Sequence, residues 1–102
     1  MIAVTAEFRI NEGKDAEAIE AIEKVVAAVS QNEPGTLTYT WHRGLKDPAQ
    51  VLVYEVYRDE DAMKAHRDMP HLAEFQKAFA AGVFDVASVK IHRFGKIAEI
   101  NR

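Results

Sequence analysis

Val51-Leu52-Val53-Tyr54-Glu55-Val56-Tyr57-Arg58-Asp59-Glu60-Asp61-Ala62-Met63-Lys64-Ala65-His66 changes its period halfway along. Up to Arg58 every second residue shares a face, with Val51, Val53, Glu55 and Tyr57 opposite Leu52, Tyr54 and Val56. That is the repeat of a β-strand. Both faces are largely apolar, as in a central strand covered on two sides. Asp59 can cap a helix, and from there the apolar step becomes three or four, with Ala62, Ala65, His66 and Met69 on one stripe.

The flanking sequence supplies the rest of the elements. Residues 2–10 alternate strictly, with Ile2, Val4, Ala6, Phe8 and Ile10 on one side, until Asn11-Glu12-Gly13-Lys14 breaks the strand. From about Asp15, Ile19, Ile22, Val26 and Val29 mark an amphipathic helix of four to five turns, stopped by Glu33-Pro34-Gly35. A second strand spans Thr36 to Arg43, with Leu37, Tyr39 and Trp41 opposite Thr38, Thr40 and His42, before a turn at Lys46-Asp47-Pro48-Ala49. Beyond Pro70, Leu72, Phe75 and Phe79 predict a short helix to about Ala81, and Val86 to Phe94 a fourth strand. The tail from Gly95 to Arg102 is short enough to add only one more extended piece.

The order β-α-β-β-α-β with right-handed crossovers predicts one α+β domain over residues 1–102. Its architecture is the ferredoxin-like split βαβ unit, a four-stranded antiparallel sheet with its helices on one face. The opposite sheet face is then bare and partly apolar, and pairing two such faces predicts a homodimer.

Composition narrows the functional classes. The 102 residues are 48% hydrophobic and 28% charged with net charge −3, which speaks against disorder and against nucleic acid or an anionic membrane as partner. There is no cysteine, which removes disulfides, thiol catalysis and thiolate metal sites. The start, Met1-Ile2-Ala3-Val4-Thr5-Ala6-Glu7-Phe8-Arg9, has no basic, long-apolar leader, and no stretch approaches the ~20 apolar residues of a membrane span, so a cytoplasmic protein is expected.

No Gly-rich phosphate loop, HExxH or nucleophile elbow is present. Asp59-Glu60-Asp61 opens a helix, where acids complement the dipole, and has no matching metal ligands nearby in sequence. Chemistry concentrates instead between Val51 and Phe75. Glu55 and Tyr57 share a strand face, His66 lies on the helix stripe above it, and His71 follows Pro70. Imidazole is the side chain best suited to moving protons near neutral pH. Each group also has a structural reading: His66 as a bonded core residue, Glu55 as partner of His66 or Arg93, Tyr39, Trp41 and Tyr57 as core aromatics, and His71 as a helix cap.

At these residues the chain resembles the antibiotic biosynthesis monooxygenase domain family of dimeric α+β-barrel proteins. The resemblance is carried by Pro34-Gly35 with Tyr39, then Tyr54-Glu55-x-Tyr57, then Asp59-x-x-Ala62-x-x-x-His66, then Pro70-His71. It implies oxygenation of an anthrone- or quinol-like aromatic by dioxygen without metal, flavin or other cofactor. It also implies His66 as proton acceptor or substrate partner, and Glu55 orienting it or binding a substrate hydroxyl. Tyr57, Tyr39, Trp41, His71 and Phe75 become the substrate-contacting set. Haem-degrading relatives use an Asn on the first strand and a ligating His; here Glu7-Phe8-Arg9 and Glu74-Phe75-Gln76 stand in those places. Isomerases of a small phosphorylated dione resemble the chain through Tyr54–His66 and Pro70-His71-Leu72, with Arg43, Lys90 and Arg93 as candidate phosphate contacts. A non-catalytic ligand-binding dimer is the third reading, because fold analogy does not assign a reaction.

Overall fold

The computed structural model describes residues 1–102. The chain forms β1 (Ile2–Ile10), α1 (Asp15–Asn32), β2 (Thr36–Arg43), β3 (Gln50–Tyr57), α2 (Glu60–Arg67), α3 (Pro70–Ala80) and β4 (Phe84–Gly95). The four strands make one antiparallel sheet in the order β2-β3-β1-β4, the split βαβ arrangement that the element order predicts. Pro70 is why the second helical region is two helices. It starts α3 at a first-turn position, where its missing N–H costs nothing, and Met69 before it is held extended.

One sheet face carries the core. Val4, Ala6, Phe8 and Ile10 of β1 and Val51, Val53, Glu55 and Tyr57 of β3 are all buried beneath the helices. The buried line of α1 runs through Ala18, Val25 and Val29, rotated from the stripe of larger residues, with Ile22 packed on its flank. Alanine lets a helix approach a sheet more closely than isoleucine does, and Ala18 on this line is completely buried. The apolar residues fall into two groups. A large one is built on Phe8, Phe79 and Phe84, with ring centroids 5.0–5.2 Å apart; a small one holds Val4, Tyr57, Ala62 and Met63.

Register explains what the inner face presents. One row across the sheet reads Tyr39, Glu55, Val4, Arg93; the next reads Trp41, Val53, Ala6, Ile91. The first row is polar at three of its four positions, the second wholly apolar.

Two irregularities depart from strict alternation. Leu37 is an extra residue in β2, between Thr36 opposite Tyr57 and Thr38 opposite Val56. Leu37 therefore leaves the face of Tyr39 and Trp41, with which alternation had grouped it, and lies with Thr38, Tyr54 and Val56 on the open side. In β4 the register jumps between Lys90 opposite Glu7 and Asp85 opposite Arg9. The Ser88 hydroxyl fills the gap, accepting from Arg9 N at 2.9 Å and donating to Asp85 O at 2.6 Å. The fourth strand thus begins at Phe84, two residues before the predicted start, because a bulge interrupts it without ending it. Residues 96–102 add no strand; Lys96 to Glu99 lie along the open face beside Leu37, Tyr54 and Phe94. No helix is long and apolar enough to cross a membrane.

Candidate functional site

α1 ends at Asn32, and Glu33 follows as its C-cap. Pro34-Gly35 then turns the chain into β2. Gly35 passes so close to α2 that a Cβ there would lie 2.7 Å from the Ala62 Cβ, and its carbonyl accepts from Arg58 N at 2.9 Å. At the other side of this contact Asp59 Oδ1 caps α2 by accepting from Ala62 N at 2.9 Å. This clamp holds the end of α1 beneath α2 and brings Glu33 against His66.

Glu33 is 6% exposed and His66 5% exposed. His66 Nδ1 lies 2.8 Å from Glu33 Oε1, Thr36 Oγ1 donates to the same oxygen at 2.8 Å, and His71 Nε2 hydrogen-bonds to Oε2. Burial pushes the Glu33 carboxyl up, but the hydrogen bonds of His71 and Thr36 and the charge and bond of His66 outweigh it, leaving it below the ordinary carboxylate range. An ionised carboxylate only accepts, so the Nδ1 of His66 is the donor and in the neutral ring Nε2 carries the lone pair.

That second nitrogen faces the sheet. Glu55 Oε1 is 3.9 Å from it, too far for a hydrogen bond, and accepts instead from the Tyr57 hydroxyl. Burial raises the Glu55 carboxyl above its usual range despite the opposing pull of Tyr57 and His66. Burial likewise raises the Tyr57 and Tyr39 phenols, helped by Glu55, so both stay protonated. The rings of Tyr39 and Tyr57 pack tilted against that of His66, with centroids 5.4 and 5.6 Å away.

Beside this cluster, between the two apolar groups, is a cavity of about 630 Å³. Its wall includes Glu55, Tyr57, His66, Tyr39, Trp41 and Phe75, six of the seven residues singled out from sequence. Trp41 packs against Phe75 with ring centroids 5.4 Å apart and planes inclined by 55°. The Trp41 indole N–H is buried without a partner; the Tyr39 phenol is close enough to feel it but not in bonding geometry. The seventh residue, His71, turns the other way. It bonds Glu33 and lines a separate groove of about 420 Å³ between α1 and α3, with Glu17, Glu20, Lys24 and Glu74. Of the basic residues considered for a phosphate, only Arg93 reaches the cavity. Arg43 pairs with Asp15 at 2.6 Å, and Lys90 opposes Glu7 on the other sheet face. His42 is exposed and bonded to Thr40 at 2.9 Å.

Glu33 is the residue that sequence reasoning missed. It reads as part of a helix stop, yet an acid at a helix C-terminus opposes the macrodipole, and that mismatch signals a partner elsewhere. Glu33, His66 and His71 are also the residues that could hold a metal, their donor atoms lying within 4.8 Å of one another. Both oxygens of Glu33 are already engaged by ring nitrogens, so hydrogen bonding alone accounts for the arrangement.

The family profile described as antibiotic biosynthesis monooxygenase matches residues 1–78. The chain belongs to that family. A solved Caulobacter crescentus structure bearing the antibiotic biosynthesis monooxygenase name is 25% identical, with TM-score 0.85 over 95% of this chain and 90% of that one. A Deinococcus radiodurans structure of the same name is 20% identical, with TM-score 0.85 over 100% of this chain and 98% of that one, and shares the fold. Among curated proteins, an uncharacterized protein of Synechocystis sp. is 28% identical over 98 residues, 96% of this chain; the chain spans 64% of that relative's length. The family match covers every candidate side chain described above except Lys90 and Arg93 on β4.

Proposed function

We propose that the protein is a cofactor-independent monooxygenase acting on a small anthrone- or quinol-like aromatic. One observation carries this reading: His66 is held through Nδ1 by Glu33 while its Nε2 lone pair, free of any protein partner, faces a largely apolar cavity. In such a site His66 takes a proton from the substrate, and the apolar wall excludes water from the resulting carbanion or phenolate. That electron-rich anion reduces dioxygen by one electron, and the radical pair recombines to a peroxide. Return of the proton from His66 allows the O–O bond to break. In sum, a ring methylene and one dioxygen become a ring carbonyl and one water, the methylene carbon supplying the electrons and both hydrogens. The unpartnered Trp41 N–H is the donor available to a substrate oxygen, and Glu55, whose carboxyl burial raises above its usual range, is the group that can accept from a substrate hydroxyl.

The binding-module reading is the weaker one, since Trp41, Tyr57 and Phe75 line the space and do not fill it. The isomerase reading keeps a single basic contact of its three, Arg93. The domain comprises residues 1–102, acts in the cytoplasm and pairs as a homodimer through the open sheet face, where Leu37, Tyr54 and Phe94 are 48%, 39% and 52% exposed. A monomeric mass by light scattering at micromolar concentration contradicts the dimer. Oxygen uptake by chelator-treated protein with anthrone and hydroquinone tests the activity; turnover that survives His66→Ala removes the assignment of the base.

A further inference from the structure

Apart from Arg102 at the end of the chain, the protein's arginines fall into two groups. Arg9, Arg43 and Arg58 are each paired with an aspartate within 3.5 Å. Arg67 and Arg93 have no carboxylate partner, and both line the cavity. Arg93 donates from Nη1 to the Met63 thioether sulfur at 4.0 Å, a weak contact that leaves its other guanidinium donors without a protein acceptor.

Their placement follows from register. Arg93 shares the row Tyr39, Glu55, Val4, Arg93, with Val4 between it and Glu55. Two strand spacings, about 10 Å, therefore separate the backbone of the Glu55 end from that of the Arg93 end on one sheet face. Arg67 lies four residues after Met63 on α2, one turn along the helix face that carries the sulfur Arg93 touches. The helix above the row therefore supplies the His66 imidazole and, on the Met63 side, a second guanidinium to the same cavity. Glu55 is the one carboxylate in the wall, and it is engaged by Tyr57. The cavity thus has an acid–base end and an unneutralised cationic end, joined by an apolar floor of Trp41, Val53, Ala6 and Ile91.

We infer that the substrate is an aromatic bearing an anionic group, carboxylate or phosphate, which Arg67 and Arg93 bind while its reacting hydroxyl or methylene lies at His66. A guanidinium fork matches the paired oxygens of either anion. The protein's net charge of −3 gives anions no general attraction, so any preference for them arises locally. The inference rests on the proposed function for the position of the reacting group; the anion contact is read by binding alone.

The test is calorimetric titration at low salt with three probes on one ring system: 2-naphthol, 6-hydroxy-2-naphthoate and the monophosphate of 2,6-dihydroxynaphthalene. Quenching of Trp41, the sole tryptophan, reports that the probe occupies the cavity. An anionic probe is expected to bind at least about ten-fold more tightly than 2-naphthol, equivalent to 1.4 kcal/mol. The advantage should fall in Arg67→Gln and in Arg93→Gln, nearly vanish in the double variant, and persist in Arg43→Gln, whose side chain is outside the cavity. Both arginines are exposed, so the variants are expected to fold. The larger gain, of phosphate or of carboxylate, identifies the anion. Equal affinities in the wild type, an advantage that survives the double variant, or one equally lost in Arg43→Gln overturns the inference. Oxygen uptake is scored separately. Anion preference without oxygen consumption removes the monooxygenase reading alone, whereas consumption with no anion preference removes this inference alone.

Discussion

Glu33 and His66, thirty-three residues apart, meet at 2.8 Å in the interior, the carboxylate at the end of α1 accepting from the imidazole of α2. The bond fixes the tautomer of the ring, and with it the nitrogen that can take a proton. Glu33→Gln replaces a double acceptor with one acceptor and one donor, so His66 and His71 can no longer both donate to it. The expected outcome is a fall in kcat of about 10²-fold with little change in KM, and a loss of about 1–3 kcal/mol of stability. Steady-state oxygen uptake and urea unfolding measure the two; an unchanged kcat contradicts the orienting role.

The same carboxylate sets the sign of a pH effect. Because Glu33 is held below its ordinary range in the folded protein, the unfolded chain binds more protons in the acid window. Its contribution is present above the unfolded value, near 4.3, and is lost as pH falls through the folded one. Exposed Asp47, Asp59 and Glu74 shift in the same direction, so Glu33→Gln should flatten the acid limb without abolishing it. Glu55 acts oppositely. Its raised value gives stability present below the unfolded range and lost as pH rises through the folded value, so Glu55→Gln should remove that loss. Urea midpoints between pH 3 and pH 8, about that span around the carboxylate range, read both effects.

Gly35 has no room for a side chain. The obstacle, at 2.7 Å, is the Ala62 Cβ, which cannot swing away from its helix. Gly35→Ala should cost about 1–3 kcal/mol by overpacking, and each kcal/mol lowers Tm by about 4–8 °C in a chain of this size. It should also lower kcat beyond what stability explains, because the same contact seats Glu33 under His66. Thermal melting and activity well below Tm separate the two effects.

Chelation should change little. The Glu33 carboxylate is satisfied by His66, His71 and Thr36, so dialysis against EDTA is expected to leave Tm and oxygen uptake unaltered. A bound ion would stabilise the fold by mass action, and a drop of several degrees on chelation would identify one.

The sheet and helices were legible because the period of the apolar residues changes sharply at Asn11, Gly35 and Asp59. The convergence of Glu55, Tyr57 and His66 followed from alternation on β3 and the stripe on α2. Leu37 and the Ser88 region were not legible, since a bulge shifts register without changing composition. Glu33 escaped because Pro34 and Gly35 explain a helix end without reference to the acid before them. His71 shares the helical side of the site with Phe75, but its partner belongs to another part of the chain, and one residue's spacing does not reveal to which neighbour it turns.

The sheet has four strands, and the inner face of β4 is thinly roofed: Val86 and Ile91 are 63% and 62% exposed although both line the cavity. Glu33, His66 and Tyr57, by contrast, are locked by burial on the side of β2 and β3. On the proposed function, recognition and proton handling would therefore occupy opposite flanks, one solvent-facing and one densely packed. Residues on the β4 flank can vary in size with little effect on folding or on the imidazole. A fold divided in this way could acquire new ligands at its exposed rim while the Glu33–His66 cluster stays fixed in the interior.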